Sequence, residues 1–554
     1  MRLIRACNWP GGKLSLWGKR SPVLVLLMII FTASQAQSQK GGVGGPGSMK
    51  AAEADSGKVA QVIQTMPLID DAYVALLNEG KQDEANEWLG DHPEALVAKD
   101  KQGKTALMLA AELGLVAVMD ELIKAGVSLN EKDIFSRSAL MLAVQKEYPH
   151  AVKRLLEARA NLHLKTDQGL NALWFAVAHD NVVITKLLLD SGADPNLTNQ
   201  RGFTLLGMTI SKGNSELASL LVEYGADTSL QDVNGRNAFL TAVSAGALKM
   251  SQAVLQKNPS LSKTKDGLGH SALHLAALSG SEMTLEYVLK LGLDVNGTQQ
   301  HGFTPLMFGA QNGYNAVVVR LLQAGAEVNR QNVGGVSALM MAAGNGHQDV
   351  VTTLINSQAD LNLVNKPGWN ALFYAISAKK VLTAKQLIDA GIALNTRDNY
   401  GATALLLAAG NQQNEIARML ISAGASVKGS DKQGFTVLMA AASAAETGLS
   451  ELIVKHGADI EAVDLKGRNA LHWAAQSAKH EEMITFLLAQ GIDIGAVDKQ
   501  DRTPLMYAAA NGNEVAVKAL LRAGAETSAQ DIEGYTALSW AEKNNHLPLV
   551  RLLK

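Results

Sequence analysis

Short apolar runs recur along the chain at a fixed spacing, and each run has the periodicity of a helix. Such runs are SALHLAA at 271–277, TPLMFGA at 304–310, SALMMAA at 337–343 and NALHWAA at 469–475. A second apolar stretch follows each one and carries an aliphatic pair such as Leu321-Leu322. Because residues three or four apart lie on the same face of a helix, both stretches predict short amphipathic helices.

A turn precedes each of these helix pairs and sets the spacing of 33 or 34 residues, often as Asp-x-x-Gly. The glycine position of the turn is occupied in order by Gly103, Ser136, Gly169, Gly202, Gly235, Gly269, Gly302, Gly335, Gly368, Gly401, Gly434, Gly467, Asp501 and Gly534. Two residues later stands Thr, Ser or Asn, which are favoured helix N-caps. Self-similarity at this period predicts a solenoid of about 14 helix–turn–helix units between Asp100 and Lys554.

This pattern resembles the ankyrin repeat, whose signature of 33 residues contains T-P-L-H-x-A. The chain departs from that signature because Pro stands at its place only as Pro305 and Pro504, and His only as His274 and His472. Methionine fills the histidine place in six units: Met108, Met141, Met307, Met340, Met439 and Met506. The resemblance implies an all-α fold of helix–turn–helix units joined by β-turn fingers in a curved, elongated array. It also implies protein binding through the concave face.

The segment before the repeats predicts export and a leading cap. Residues 1–36 combine five basic residues, the apolar run Val23–Phe31 and small residues at Ser34 and Ala36. This is typical of a signal peptide cleaved between Ala36 and Gln37, with an uncleaved inner-membrane signal anchor as the alternative. We expect a flexible Gly-rich linker at 37–57, a degenerate N-terminal capping repeat at 58–99 and the array at 100–554, with its last unit truncated.

Charge and cysteine content exclude several function classes. The chain has 50 Lys and Arg against 52 Asp and Glu, and five of the basic residues lie in residues 1–36. After cleavage the net charge would be about −7, which argues against nucleic-acid binding and against attraction to an anionic membrane surface. The single cysteine, Cys7, lies in the predicted signal, so the exported chain would form no disulfide. Membrane association is expected only if the signal is uncleaved, and we expect a monomer.

Candidate chemistry is sparse. His274 and His472 begin first helices, where a histidine bonds to the preceding turn, so we interpret both as structural. His270 lies four residues before His274, a spacing known from metal sites, but no acidic or thiol companion is evident. The repeated turn aspartates and the methionine row are interpreted as turn formers and buried core. No Walker-type loop, G-x-S-x-G or H-E-x-x-H motif occurs. We therefore predict no catalytic residue, no metal, no cofactor and no enzymatic activity.

The candidate binding residues follow the turn glycine, where the resemblance places variable fingertips. They are Leu170, Phe203, Arg236, Phe303, Val336, Trp369, Phe435, Arg468 and Tyr535. Aromatic and Arg side chains are the usual hot spots of protein interfaces. The alternative interpretation is that these rings only pack on neighbouring fingers. Under the binding hypothesis, Phe303→Ala with Trp369→Ala would abolish partner capture and leave the melting temperature nearly unchanged.

The sequence thus favours an exported, periplasmic or secreted interaction protein of a bacterial envelope, acting as a scaffold or inhibitor. A secreted effector that binds host proteins is the alternative, and an enzyme is a third class. An enzyme would need an insertion to carry its site, and the regular spacing leaves no room for one. The sequence does not identify the partner.

Overall fold

The computed structural model describes residues 68–199, 202–477 and 481–554. These residues divide into two compact units, residues 68–300 and residues 301–554. The predicted signal peptide, its cleavage site between Ala36 and Gln37, the linker at 37–57 and the first ten residues of the predicted cap lie outside the described residues. Those assignments therefore stay predictions.

Residues 68–300 form helix pairs at the predicted spacing. The helices are α1 (Asp71–Asn78), α2 (Gln82–Asp91), α3 (Ala106–Leu113), α4 (Val116–Lys124), α5 (Ala139–Gln145), α6 (Pro149–Glu157), α7 (Ala172–Ala178), α8 (Val182–Asp190), α9 (Leu205–Ser211), α10 (Ser215–Glu223), α11 (Ala238–Ser244), α12 (Leu248–Lys257), α13 (Ala272–Ser279) and α14 (Glu282–Leu289). Short 3-10 helices follow α2 at Pro93–Leu96 and α12 at Pro259–Lys263. From α3 onward, odd-numbered helices are the first of each pair, and successive first helices pack on one another.

Residues 301–554 repeat the arrangement. The helices are α15 (Pro305–Asn312), α16 (Asn315–Gln323), α17 (Ala338–Asn345), α18 (Gln348–Asn356), α19 (Ala371–Ser377), α20 (Val381–Asp389), α21 (Ala404–Gly410), α22 (Asn414–Ser422), α23 (Val437–Ser443), α24 (Thr447–Lys455), α25 (Ala470–Ser477), α26 (Glu481–Ala489), α27 (Pro504–Ala510), α28 (Glu514–Arg522), α29 (Ala537–Lys543) and α30 (Leu547–Leu553). First helices contact first helices and second helices contact second helices throughout this unit. In the described ranges the extended backbone is limited to isolated β-bridges such as that between Gln331 and Ser337.

The helices α1 and α2 occupy the described part of the predicted capping repeat. Tyr73 and Leu77 are fully buried, and the Tyr73 ring stacks on Trp88 with centroids 4.9 Å apart. The other sides of both helices carry exposed acidic residues, including Asp83 and Glu87. This combination of one apolar and one polar face is what a terminal repeat requires.

Each first helix begins as the sequence predicts. The hydroxyl oxygen of Thr304, for example, accepts a hydrogen bond from the Met307 amide at 3.3 Å. Leu306 and Met307 behind this cap are about 1% exposed. The five other methionines at the same repeat position are equally buried: Met108, Met141, Met340, Met439 and Met506. The methionine row is therefore core, which supports the packing interpretation of these residues.

Hydrogen bonds inside and between the turns build the fingers. In one of them, Oδ1 of Asp431 accepts hydrogen bonds from the amides of Gln433 and Phe435 at 2.8 and 2.9 Å. The amide of Lys432, the second turn residue, donates to the carbonyl of Tyr400 in the preceding finger at 2.8 Å. Because Gly401 has a φ of +82° and lies directly against this bond, the turn needs glycine there. A backbone hydrogen bond thus joins successive fingers.

Candidate partner-binding face

The fingers and the first helices share one side of each repeat, which we call the finger face. The nine predicted binding residues all lie on it, directly after the glycine position. Phe203 is exposed (41%) and Phe303 is buried (8% exposed). The other seven are half-buried: Leu170, Arg236, Val336, Trp369, Phe435, Arg468 and Tyr535. The predicted residues therefore lie at the base of the fingers, where the chain enters the first helix, and not at the tips.

Most of the aromatic members pack against rings that project from the first helices. Phe303 stacks on Phe308 with centroids 5.4 Å apart, and Trp369 lies 5.8 Å from Phe373 and makes an edge contact with Tyr374. Such pairs contribute about 0.5–1.5 kcal/mol beyond the area that they bury. These contacts favour a lower melting temperature for alanine at 303 and 369, contrary to the sequence-based expectation, because both substitutions would remove internal packing.

Phe435 and Tyr535 also pack against rings of first helices. Phe435 meets Trp473 edge-on with centroids 4.9 Å apart, and Tyr535 lies 5.4 Å from Trp540. Unlike Phe303, all four of these side chains remain half-buried. They keep part of their ring surface available to a partner while their internal contacts hold the rings in place.

The two predicted arginines are held by turn carboxylates. Arg468 donates from Nε to Oδ2 of Asp464 at 2.8 Å, and its guanidinium lies 3.9 Å from the centre of the Trp473 ring. Arg236 donates from Nε to Oδ2 of Asp266 at 3.2 Å. Burial raises the pKa of Asp266, but the hydrogen bond from His270 and the Arg236 charge outweigh it and hold that pKa at about 2. Both guanidinium groups are thus preorganised, with their Nε atoms already engaged.

The exposed tips are the two residues between the turn Asp and the glycine position, and the sequence analysis did not select them. Large apolar side chains are exposed there in seven repeats: Ile134, Phe135, Val233, Leu268, Val333, Tyr400, Leu465 and Ile532. Tyr400 is the most exposed of them at 74%. The pattern Asp-x-x-Gly contained the signal, because the Asp and Gly satisfy the turn backbone and leave the two residues between them to point outward.

The sequence analysis also missed a row on the first helices, six residues after the glycine position. Its half-buried members are Phe175, Met208, Thr241, Leu407, Trp473 and Trp540. This position is the variable residue of the T-P-L-H-x-A pattern, so its period of 33 or 34 residues could have revealed it. Together with the tips, this row gives the finger face its apolar surface.

A hydrogen-bonded network stiffens this face in the last repeats. Oδ2 of Asp498 accepts hydrogen bonds from Nη2 of Arg502 at 2.8 Å and from the Tyr507 hydroxyl at 2.7 Å. Burial and the Asp498 carboxylate both raise the pKa of Tyr507, so its hydroxyl stays a donor. The Trp540 indole donates in the same way to Oδ2 of Asp531 at 2.9 Å.

The two signature histidines make the contacts of structural residues. His472 is fully buried, with Nδ1 2.7 Å from Asn469 Oδ1 and Nε2 3.1 Å from the Arg502 carbonyl of the next repeat. Burial lowers its pKa, so the ring stays neutral near pH 7. His274 lies with Nδ1 2.8 Å from the Ser271 hydroxyl. Both rings therefore connect a first helix to its turn.

His270 does have an acidic companion, contrary to the sequence analysis. Its Nδ1 lies 2.9 Å from Oδ2 of Asp266, four residues earlier in the same finger. Within the described ranges, no group of three or more His, Cys, Asp or Glu side chains is arranged to hold a metal ion. The same ranges contain no helix with the length and apolarity to cross a membrane.

Comparison with known families decides what kind of protein this is. A family model described as ankyrin repeats (3 copies) matches residues 107–199, 173–265, 258–332, 339–431, 427–498 and 491–554. A second model, ankyrin repeats (many copies), matches residues 311–355. The chain is an ankyrin repeat protein. No curated protein matches it significantly.

Membership in this family confirms the all-α helix–turn–helix fold that the sequence predicted. Ankyrin repeats indicate a protein–protein interaction scaffold, and ankyrin repeat proteins are typically binding scaffolds without enzymatic activity. That this chain has no activity of its own stays a prediction, as does the role of each finger residue.

Proposed function

We propose that this ankyrin repeat protein is exported and binds a protein partner through its finger face, as a scaffold or inhibitor in the cell envelope. The observation that carries the proposal is the row of exposed apolar fingertips, with Tyr400 74% exposed and Leu465 58% exposed. Grouped apolar side chains at the surface of a folded protein mark interaction sites.

Half-buried rings beside these tips support the same face. Trp473 and Trp540 expose part of their rings, and internal contacts with Phe435 and Tyr535 fix their positions. A ring already fixed in its bound orientation loses little entropy on binding, and Trp and Tyr are frequent interface anchors. Affinity would come from a few such anchors spread over several repeats.

Export rests on the leader of residues 1–36 and on the lack of cysteine after Cys7. To test it, the chain with a C-terminal tag is expressed, the cells are fractionated, and the tagged protein is sequenced from its N-terminus. We expect a mature chain that begins at Gln37 in the envelope or the medium. An intact leader in the membrane fraction would instead identify a signal anchor.

Partner binding is tested with the same tagged chain by affinity capture and mass spectrometry. Tyr400→Ser with Leu465→Ser removes two exposed tips. The control, Leu382→Ser with Val515→Ser, removes apolar side chains that are 64% and 38% exposed on second helices. We expect one envelope protein to be captured by the parent and by the control and lost from the tip variant. A partner retained by the tip variant would contradict the finger face as the interface. A partner found only in lysates of foreign cells would indicate the secreted effector.

A further inference from the structure

Five successive fingers between residues 364 and 502 each carry one exposed cationic side chain. These are Lys366, Arg397, Lys432, Lys466 and Lys499. Among the described residues, none of the four lysines takes part in an ion pair, and Arg397 donates to the backbone carbonyls of Gly401 and Ser430. The row therefore presents unneutralised positive charge to solvent, one charge for each repeat.

The aspartates of the same fingers point inward. Asp464 and Asp498 are buried, and each gives Oδ1 to turn amides and Oδ2 to an arginine of its own finger. Asp398 accepts the Tyr400 and Ala402 amides on Oδ1 and the Trp369 indole on Oδ2. These carboxylates are engaged by hydrogen bonds inside the fingers, so the cations determine the charge of the outer surface of the fingers. Among the turn residues of these fingers Asp501 is the one exposed acid, and Asp459, Glu461 and Asp493 are exposed in the loops that lead into the turns.

The second helices of the same repeats carry exposed charges of both signs. Asp389, Glu415, Glu451, Glu482 and Glu514 are exposed there, and so are Lys385, Arg418, Lys455, Lys518 and Arg522. The exposed charges of the second helices therefore balance, whereas the turns of these fingers expose five cations and one acid. A cationic row of this kind steers an oppositely charged partner to the finger side.

Exposed apolar side chains lie at the tips of these fingers and directly before their turns. Val364, Tyr400, Leu465 and Val497 are 43%, 74%, 58% and 51% exposed. A partner that matches the row must therefore offer both carboxylates and apolar groups. A nucleic acid backbone offers a continuous line of phosphates without apolar groups between them, so it matches these fingers less well.

We propose that the fingers of residues 364–502 bind an extended acidic protein segment with a carboxylate at about every third residue and apolar side chains between. This inference rests on the proposed function and specifies its partner. Packed helices lie roughly 8–10 Å apart and an extended chain advances about 3.3 Å per residue, so about three residues span one repeat. One carboxylate of the segment then meets one finger cation in each repeat.

The test uses the full chain and a fluorescein-labelled synthetic peptide of five Glu-Ser-Leu repeats, with a Gln-Ser-Leu peptide for comparison. Binding is followed by fluorescence anisotropy at low and high salt. The finger variant is Lys432→Gln, Lys466→Gln and Lys499→Gln. The matched control is Lys385→Gln, Lys455→Gln and Lys518→Gln, which removes three exposed lysines from second helices and leaves the same net charge.

We expect the parent and the control to bind the acidic peptide, with affinity falling as salt rises. The finger variant should bind at least about tenfold more weakly, and the Gln peptide should not bind. Equal binding of the acidic peptide to the parent and to the finger variant would overturn the proposal. It would also be overturned if the parent bound an oligothymidylate as tightly as the acidic peptide, because the fingers would then bind polyanions in general. Thermal melts establish that both variants remain folded. The variant Tyr400→Ser with Leu465→Ser is expected to lose the cellular partner. If the finger variant still captures that partner, the proposed function stands and the proposal of an acidic segment is wrong.

Discussion

The indole nitrogen of Trp369 donates a hydrogen bond to Oδ2 of Asp398, 3.2 Å away in the next finger. Oδ1 of the same carboxylate accepts the amides of Tyr400 and Ala402, so one side chain organises its own turn and connects it to the previous one. The residue that the sequence marked as a binding anchor therefore also holds two repeats together. Any partner binding through this ring would therefore be coupled to the stability of the fold.

The first prediction concerns the structural role of Trp369. Trp369→Phe keeps a ring against Phe373 and removes the N–H donor, so we expect a loss of about 1–2 kcal/mol in the free energy of unfolding. Urea denaturation of Trp369→Phe, Asp398→Asn and the double variant gives the coupling between the two side chains. If the two single effects simply add, the indole–carboxylate bond contributes nothing to the stability of the fold.

Two turn aspartates should respond to amide substitution with opposite sign. Burial, followed by the charges of Asp398 and Asp464, raises the pKa of Asp431 despite the turn amides that it accepts. A carboxyl with a raised pKa in the folded state stabilises the fold only below its unfolded pKa, and loses that contribution as the pH rises through the folded pKa. Asn332 and Asn365 fill the same turn position in other repeats. Asp431→Asn should therefore raise the melting temperature at pH 7 and lose this advantage near pH 4.

Asp498 is the matched control for that prediction. Burial would raise its pKa, but the bonds from Tyr507, Arg502 and the turn amides outweigh it and lower the pKa. Its contribution is present above the unfolded pKa and is lost as the pH falls through the folded one. Asp498→Asn should destabilise the protein at pH 7 by roughly 1–3 kcal/mol, because the Arg and Tyr donors lose their acceptor. Melting curves of both variants from pH 3 to 8 test the pair, and shifts of the same sign at pH 7 would contradict the assignment.

The sequence predicted the repeats well because the same local physics recurs in every unit. An N-cap such as Thr304, a buried Leu such as Leu306 and a turn glycine such as Gly401 each act within a few residues. What the sequence did not predict depends on side-chain contacts that the repeat pattern does not specify. That Phe303 is buried follows from its contact with Phe308 on the first helix of its own repeat, and the inward position of Asp398 follows from the Trp369 donor of the preceding finger. The tips were missed because family resemblance directed attention to the residue after the glycine.

A third prediction concerns a buried amide without a partner. Asn171 caps α7, and its Nδ2 forms no hydrogen bond in the structure. The corresponding Nδ2 atoms of Asn237 and Asn370 donate to Thr264 and Thr396, and Leu197 occupies the matching place in the repeat after Asn171. Leu197→Thr supplies the missing acceptor and should stabilise the protein by about 1 kcal/mol.

The reverse exchange serves as the control for the Asn171 site. Thr264→Val removes the acceptor of Asn237 with little change in shape, so it should destabilise by a comparable amount. Chemical denaturation of both variants measures the two changes in the free energy of unfolding. A destabilising Leu197→Thr would mean that the half-buried leucine contributes more through packing than the new hydrogen bond does.

The last prediction compares two finger glycines with similar backbone angles and different surroundings. Gly368 has a φ of +89°, and a Cβ built there would lie 2.9 Å from the Cα of Asp398 in the next finger. Gly534 has a φ of +79° and open space around the same position. Alanine at either site incurs the left-handed backbone strain of about 1–2 kcal/mol, but only at 368 must the next finger also move. We expect Gly368→Ala to lower the melting temperature clearly more than Gly534→Ala and to weaken any binding that spans the fingers on both sides. Equal losses at the two sites would show that the backbone angle alone requires glycine and that the close approach of successive fingers can relax.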